Sequence, residues 1–206
     1  MSYSVPMAIV DFVPVILFLI GAVILQRELY PLLSKGQFAL FAAGTIDVVC
    51  AGGLKAAYKL LYALGVCDFT KLNEVFFPMQ SLGFLLAGLA MAAFLFYKPK
   101  KTTACGVAAA PAVYGGTVLF VSMMVLGLGL LDAGLIALAA RRKTRGVIVL
   151  LAVSFVCSLG MGYLSTKDFS GAAANWMAES VNVVGQGTFL AAAILLRKAG
   201  EEESVA

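Results

Sequence analysis

From Val13 to Leu25 the chain runs through one apolar residue after another, and runs of this kind recur along its whole length. In lipid every backbone polar group has to be satisfied within the segment, so a long apolar run implies a helix rather than a loop or an open strand. Membrane β-barrels need alternating segments of about ten residues, and the runs here are continuous. Composition excludes the soluble alternative. Hydrophobic residues make up 62% of the 206 residues and charged ones 13%, with a mean hydropathy of +0.98. A soluble domain carries roughly a quarter charged residues, so surface left without charge is expected to face lipid.

The runs bounded by charge predict helices over 7–26, 37–62, 74–97, 146–165 and 175–197, with a long stretch over 103–140. Arg27-Glu28 to Gly36, Lys98 to Lys101 and Arg141 to Arg145 mark breaks. A single helix over 103–140 would be roughly 57 Å long against a hydrocarbon core of about 30 Å. Pro111 and Gly115-Gly116 are the turn signals inside it, and 118–140 alone is long enough to span. Residues 103–115 are mostly Ala, Gly and Thr, a weak span or an apolar surface loop.

Basic residues arbitrate. With seven spans and the N-terminus outside, Arg27, Lys35, Lys98, Lys100, Lys101, Arg141, Arg142, Lys143, Arg145, Arg197 and Lys198 all fall on the cytoplasmic side. Lys55, Lys59, Lys71 and Lys167 fall outside. Six spans would divide the same residues nearly evenly. The positive-inside rule therefore favours seven crossings, with six as the alternative. The expected fold is an all-α polytopic bundle in the cell membrane, with the C-terminus cytoplasmic. Met1 to Met7 carries no Lys or Arg and so lacks the basic start of a cleaved signal peptide.

The two ends of the chain resemble each other at spacings of 100 to 107 residues, the competing reading being chance likeness between apolar helices of limited alphabet. Val49-Cys50 with Gly53 matches Val156-Cys157 with Gly160, and Asp68-Phe69 matches Asp168-Phe169. Glu74, ten residues before Phe84-Leu85, matches Glu179, ten residues before Phe189-Leu190. The expected layout is one membrane domain over 1–206: a three-helix unit over 7–97, a linker segment over 98–117, a second three-helix unit over 118–198 and a polar tail over 199–206. In this 3+1+3 layout the chain resembles the broad group of seven-helix transporters and opsins that includes the PQ-loop sugar and vitamin carriers. The Pro-Gln dipeptide of that group is absent near the end of the first helix, and Pro78-Met79-Gln80 lies in the third. A retinal protein would need a Lys in the last span, and 175–196 has none.

Ionisable residues inside spans cost about 2.5–3.5 kcal/mol each at a helix centre and usually face a bundle interior. Asp47 and Asp132 are the deepest acids. Glu179, Asn182 and Gln186 stand at i, i+3 and i+7 on one helical face. Glu74 and Ser81 share a face in the third helix, with Gln80 beside them. Asp47, Glu74, Gln80, Asp132, Glu179, Asn182 and Gln186 are therefore the candidate solute-binding residues. The competing reading of such stripes is hydrogen bonding between helices. Asp11 is expected to cap its helix near the interface, with Pro14 in the first turn; the alternative is that Pro14 opens the helix there, which would suit an ion or solute site. Lys55 and Lys59 are expected to snorkel, with Lys55 alternatively neutralising Glu74. Gly83, Gly88 and Gly187, each with Ala four residues on, predict helix-packing faces.

The sequence has no histidine, which removes His-based catalysis and the commonest transition-metal ligand. No nucleotide-binding or hydrolytic motif stands out, so neither a cofactor nor an enzymatic activity is expected. The leading expectation is a carrier for a small cationic or neutral polar solute, with proton coupling open. Its partners would be the bilayer and that solute, not nucleic acid, with self-association left open. The alternatives are a ligand-sensing or accessory membrane protein, and a lipid-acting enzyme working through Asp47 and Asp132.

Overall fold

The computed structural model describes residues 4–96, 117–164 and 172–205. They form α1 (Val5–Val10), α2 (Phe12–Leu29), α3 (Lys35–Ala63), α4 (Lys71–Phe96), α5 (Thr117–Arg141), α6 (Arg145–Leu164) and α7 (Ala172–Val205). Five stretches are long and apolar enough to cross a membrane: Val5–Leu29, Lys35–Ala63, Lys71–Phe96, Val118–Arg141 and Ala173–Glu203. In α6 the shorter stretch Arg145–Met161 is apolar as well. These helices fit a multi-pass membrane protein. The expected linker segment and the 103–115 stretch lie almost wholly outside the described residues, as does the Asp168-Phe169 pair.

Local chemistry explains the helix boundaries. The ring of Pro14 competes for space with the carbonyl of residue i−4, which is Val10, and cannot donate to it. The helix is accordingly interrupted at Asp11, between α1 and α2. Asp11 does not act as a side-chain cap there, contrary to the expectation from sequence. At the start of α3, Ser34 and Gln37 form a reciprocal capping box, satisfying two otherwise orphaned backbone donors. Gly65, at φ +68°, ends the same helix. Its N–H donates to Tyr62 O and that of Val66 to Leu61 O, a Schellman closure. The α5–α6 corner has the same pattern, from Lys143 N to Ala140 O and from Thr144 N to Ala139 O. Here a lysine occupies the left-handed position, at φ 56°.

The helices pack in a closed ring in chain order, with α7 returning to α2. Adjacent members run antiparallel except at two places. Along α4 and α5, Phe77 meets Phe120 with ring centroids 6.3 Å apart, while at the far end Arg141 lies 5.7 Å from the Phe94 ring. These two helices run the same way, so Phe96 and Thr117 end up at opposite ends of the bundle. The same holds for α2 and α7, where Phe18 stacks on Phe189 and Glu28 reaches Gly200.

The interior of the ring is solid through the half that ends in Arg27, Lys35, Arg142 and Arg197. Leu25, Leu29, Phe41, Met91, Leu131, Leu135, Leu151 and Leu196 fill it. Glycines permit the closest approaches. A Cβ on Gly44 would stand 2.6 Å from Ala87 N, and one on Gly88 would stand 2.9 Å from Gly127 Cα. Gly83 and Gly88 are thus packing positions, but Gly187 has nothing within 4 Å. Lipid offers no hydrophobic drive for helices to associate, so such backbone contacts carry the van der Waals attraction that replaces it.

Candidate functional site

The other half of the ring is hollow. A cavity of about 420 Å³ is lined by side chains from all six helical walls: Asp11 and Phe18 of the first, Lys55 and Lys59 of α3, and Gln80 and Phe84 of α4. Met124 and Leu128 of α5, Cys157 and Ser158 of α6, and Glu179, Asn182 and Gln186 of α7 complete it. Its floor is aromatic. Phe18 stacks on Phe189 at 5.2 Å and meets Phe84 edge-on at 5.9 Å.

Charge gathers at the end away from the floor. Lys59 forms an ion pair with Asp11 through Oδ2, and both side chains are largely buried. The Lys55 ammonium lies 4.0 Å from the centre of the Phe76 ring, a cation–π contact. Glu179 is 6% exposed, and its carboxyl faces that of Asp11 within hydrogen-bonding reach. With both groups ionised their oxygens can only accept, so neither satisfies the other unless a proton is shared between them. Asp11 Oδ1 and Glu179 Oε1 are accordingly buried with no hydrogen-bond donor. An unmet buried acceptor costs about 1–3 kcal/mol, more when charged. Either a proton shared by the two carboxyls or a donor from outside the described side chains meets this demand.

Of the seven candidates from sequence, Gln80, Glu179, Asn182 and Gln186 line this cavity, so the i, i+3, i+7 face of α7 points into it. Asp132 does not line it. It is buried beyond the floor, at a void of about 10 Å³ shared with Ser154, Ser158 and Gln186. Gln186 and Ser158 border both spaces. Glu74 is exposed on the first turn of α4, and the cavity takes its neighbour Asn73 instead. Asp47 is half-buried where α3 meets Gly83 of α4, away from the cavity lining. Asp47 and Asp132 line no common pocket.

Sequence reasoning passed over Lys55 and Lys59 as snorkelling residues and held a solute site at Asp11 only as the alternative to a cap. A usable signal was present: Asp11 lies 23 residues before the Ser34 turn and Lys59 lies 25 after it. An antiparallel pair folded at that turn brings the two to one depth. Comparison with protein-family models, with curated proteins and with solved structures finds no match to this chain.

Proposed function

We propose that the chain is a small multi-pass carrier that takes a polar solute into the cavity between its six walls. One observation carries the reading: a chamber lined by every helix of the ring, charged at its mouth, apolar below and stopped near mid-bundle by an aromatic floor. Transporters bind near the bilayer midplane at the interface of their repeats, and a cavity of this depth and composition suits that role. Two acids and two lysines line it, so the solute is neutral or charge-balanced rather than a simple cation.

The same reading includes seven crossings. α4 and α5 run parallel, so Phe96 and Thr117 lie at opposite ends of the bundle, as seven crossings require. The three helices before residue 97 and the three after residue 116 then make two parallel units related by an axis along the membrane normal, an arrangement known among carriers. The matched pairs Val49-Cys50 and Val156-Cys157 fall on α3 and α6, and Phe84 and Phe189 on α4 and α7, which supports the repeat. Described lysines and arginines concentrate at the closed end, so the cavity opens to the outer side by the positive-inside rule.

Uptake into proteoliposomes tests the carrier reading. A solute that the purified protein binds should be taken up by wild type and lost at least tenfold in Glu179→Gln. A bound solute that never crosses would reduce the protein to a sensor.

A further inference from the structure

Four features of the cavity wall bear on what enters it. Asp11 Oδ1 and Glu179 Oε1 are buried acceptors without a donor. Lys55 makes no ion pair among the described residues, and its ammonium is held against the Phe76 ring. Lys59 already has Asp11. Below these groups the wall turns apolar, through Phe77, Phe84, Met124 and Leu128. One corner holds two carboxylates against the single paired cation Lys59, Lys55 has no ion-paired carboxylate among the described residues, and an apolar chamber lies beneath both.

Resting on the carrier reading above, we infer that the cavity recognises a zwitterion, its primary ammonium at Glu179 and Asp11, its acid group at Lys55, and an apolar body toward the floor. An ammonium carries three donors and no acceptor, which matches two oxygens that lack donors. A carboxylate or phosphate at Lys55 would neutralise the second charge in place, so the solute arrives with the charges that the wall leaves unmatched. Neither charge alone completes the site, because a lone amine leaves Lys55 unpaired and a lone acid leaves Glu179 unpaired. At about 420 Å³ the chamber exceeds the usual lower size for small-molecule sites, roughly 300 Å³. Gln80, Asn182 and Gln186 remain for further hydrogen bonds. Two sources share this chemistry: free amino acids with apolar side chains, and ethanolamine phospholipid headgroups with their chains.

The test is calorimetric binding to the purified full-length protein, with four probes: L-leucine, 4-methylpentanoate, 3-methylbutylamine and lysophosphatidylethanolamine. Leucine should bind at least tenfold more tightly than the acid or the amine that each keep one of its charges. Glu179→Gln should abolish the preference over 4-methylpentanoate, and Lys55→Met the preference over 3-methylbutylamine, with melting curves reporting whether each variant is folded. Should one variant fail to fold, the other and the wild-type ranking still decide. Leucine binding without lysophospholipid binding identifies a free solute, and the reverse identifies a headgroup. Equal binding of leucine and its singly charged analogues overturns the inference, since a proton shared by the two carboxyls would then fill the corner. Failure of both leucine and the lysophospholipid to bind overturns it as well. Binding with the expected ranking but without uptake overturns the carrier reading alone.

Discussion

Arg142 and Glu28 meet at 2.7 Å at the closed end of the bundle, tying the α5–α6 corner to the end of α2. The same guanidinium donates to Leu196 O of α7 at 2.9 Å and approaches the exposed Glu203. Three helix ends are thus held by one side chain that is itself only 8% exposed. Removing one partner of a buried pair strands the other charge, a loss of about 3–5 kcal/mol. Arg142→Ala should lower unfolding stability in detergent by that order. Glu28→Gln keeps an acceptor for the guanidinium and should cost clearly less. Denaturant titration of both variants checks the ranking, and equal losses would contradict it.

Parallel α4 and α5 make a topological prediction. With an odd number of crossings the two termini lie on opposite faces. In a cysteine-free background, Cys at Ser4 and Cys at Glu203 should react with an impermeant thiol reagent from opposite sides of sealed vesicles. Cys at Lys35 and Cys at Lys143 should react from the same side. Labelling of Ser4 and Glu203 positions from one face would restore six spans.

Close glycine contacts should be selective. At Gly88 a methyl would press on the Gly127 backbone, whereas at Gly129 it would meet nothing within 4 Å. Overpacking of this kind costs about 1–3 kcal/mol. Gly88→Ala should therefore destabilise the bundle by that amount and Gly129→Ala should leave it unchanged, as read by thermal melting in micelles. Similar melting temperatures would mean that α4 and α5 do not approach as closely as their glycines allow.

These outcomes bear on what was legible in the sequence. Helix positions came from length and charge, because lipid forces each apolar run into a helix whatever its neighbours do. The α7 stripe was legible for the same reason: i, i+3 and i+7 share a face in any helix. Lateral order was not. Asp47 is central in its run, and nothing in a linear sequence says that it faces the α3–α4 contact rather than the cavity. Glu74 matches Glu179 in position along its helix, yet one is exposed and the other buried, because rotation about the helix axis depends on packing partners. For Asp11 the sequence favoured a cap over a helix opened by Pro14, and the break at that residue, with the carboxylate on Lys59, fits the second.

The Asp11–Lys59 pair gives a thermodynamic cycle. Lys59→Met leaves Asp11 and Glu179 together without the cation and should cost about 3–5 kcal/mol. Adding Asp11→Asn removes the stranded charge and should recover a substantial part of the loss. The coupling between the two changes is expected to lie within about 0.5–3 kcal/mol, the range for residues in contact. Chemical denaturation of the four proteins measures it. Additive effects would show that the pair contributes nothing through its contact.

Asp132 offers the sharpest separation of stability from function. It is 6% exposed beside a void of only about 10 Å³, with Ser154, Ser158 and Gln186 around that void. No ion pair reaches it among the described residues. A carboxyl buried this way costs stability, and a side chain of similar size without polar atoms removes that cost. Asp132→Leu should raise unfolding stability by about 1–3 kcal/mol, the scale that substitutions in proteins give for burying a polar group. Functional sites characteristically retain residues that a more stable protein would lack. Gln186 and Ser158 join this void to the cavity, so in a carrier Asp132 stands where the solute or a proton would pass the Phe18–Phe189 floor. The same variant should then abolish uptake while leaving cavity binding within about twofold, a ratio worth less than one RT·ln 10. A stabilised variant that transports normally would remove Asp132 from the pathway and confine function to the chamber above the floor.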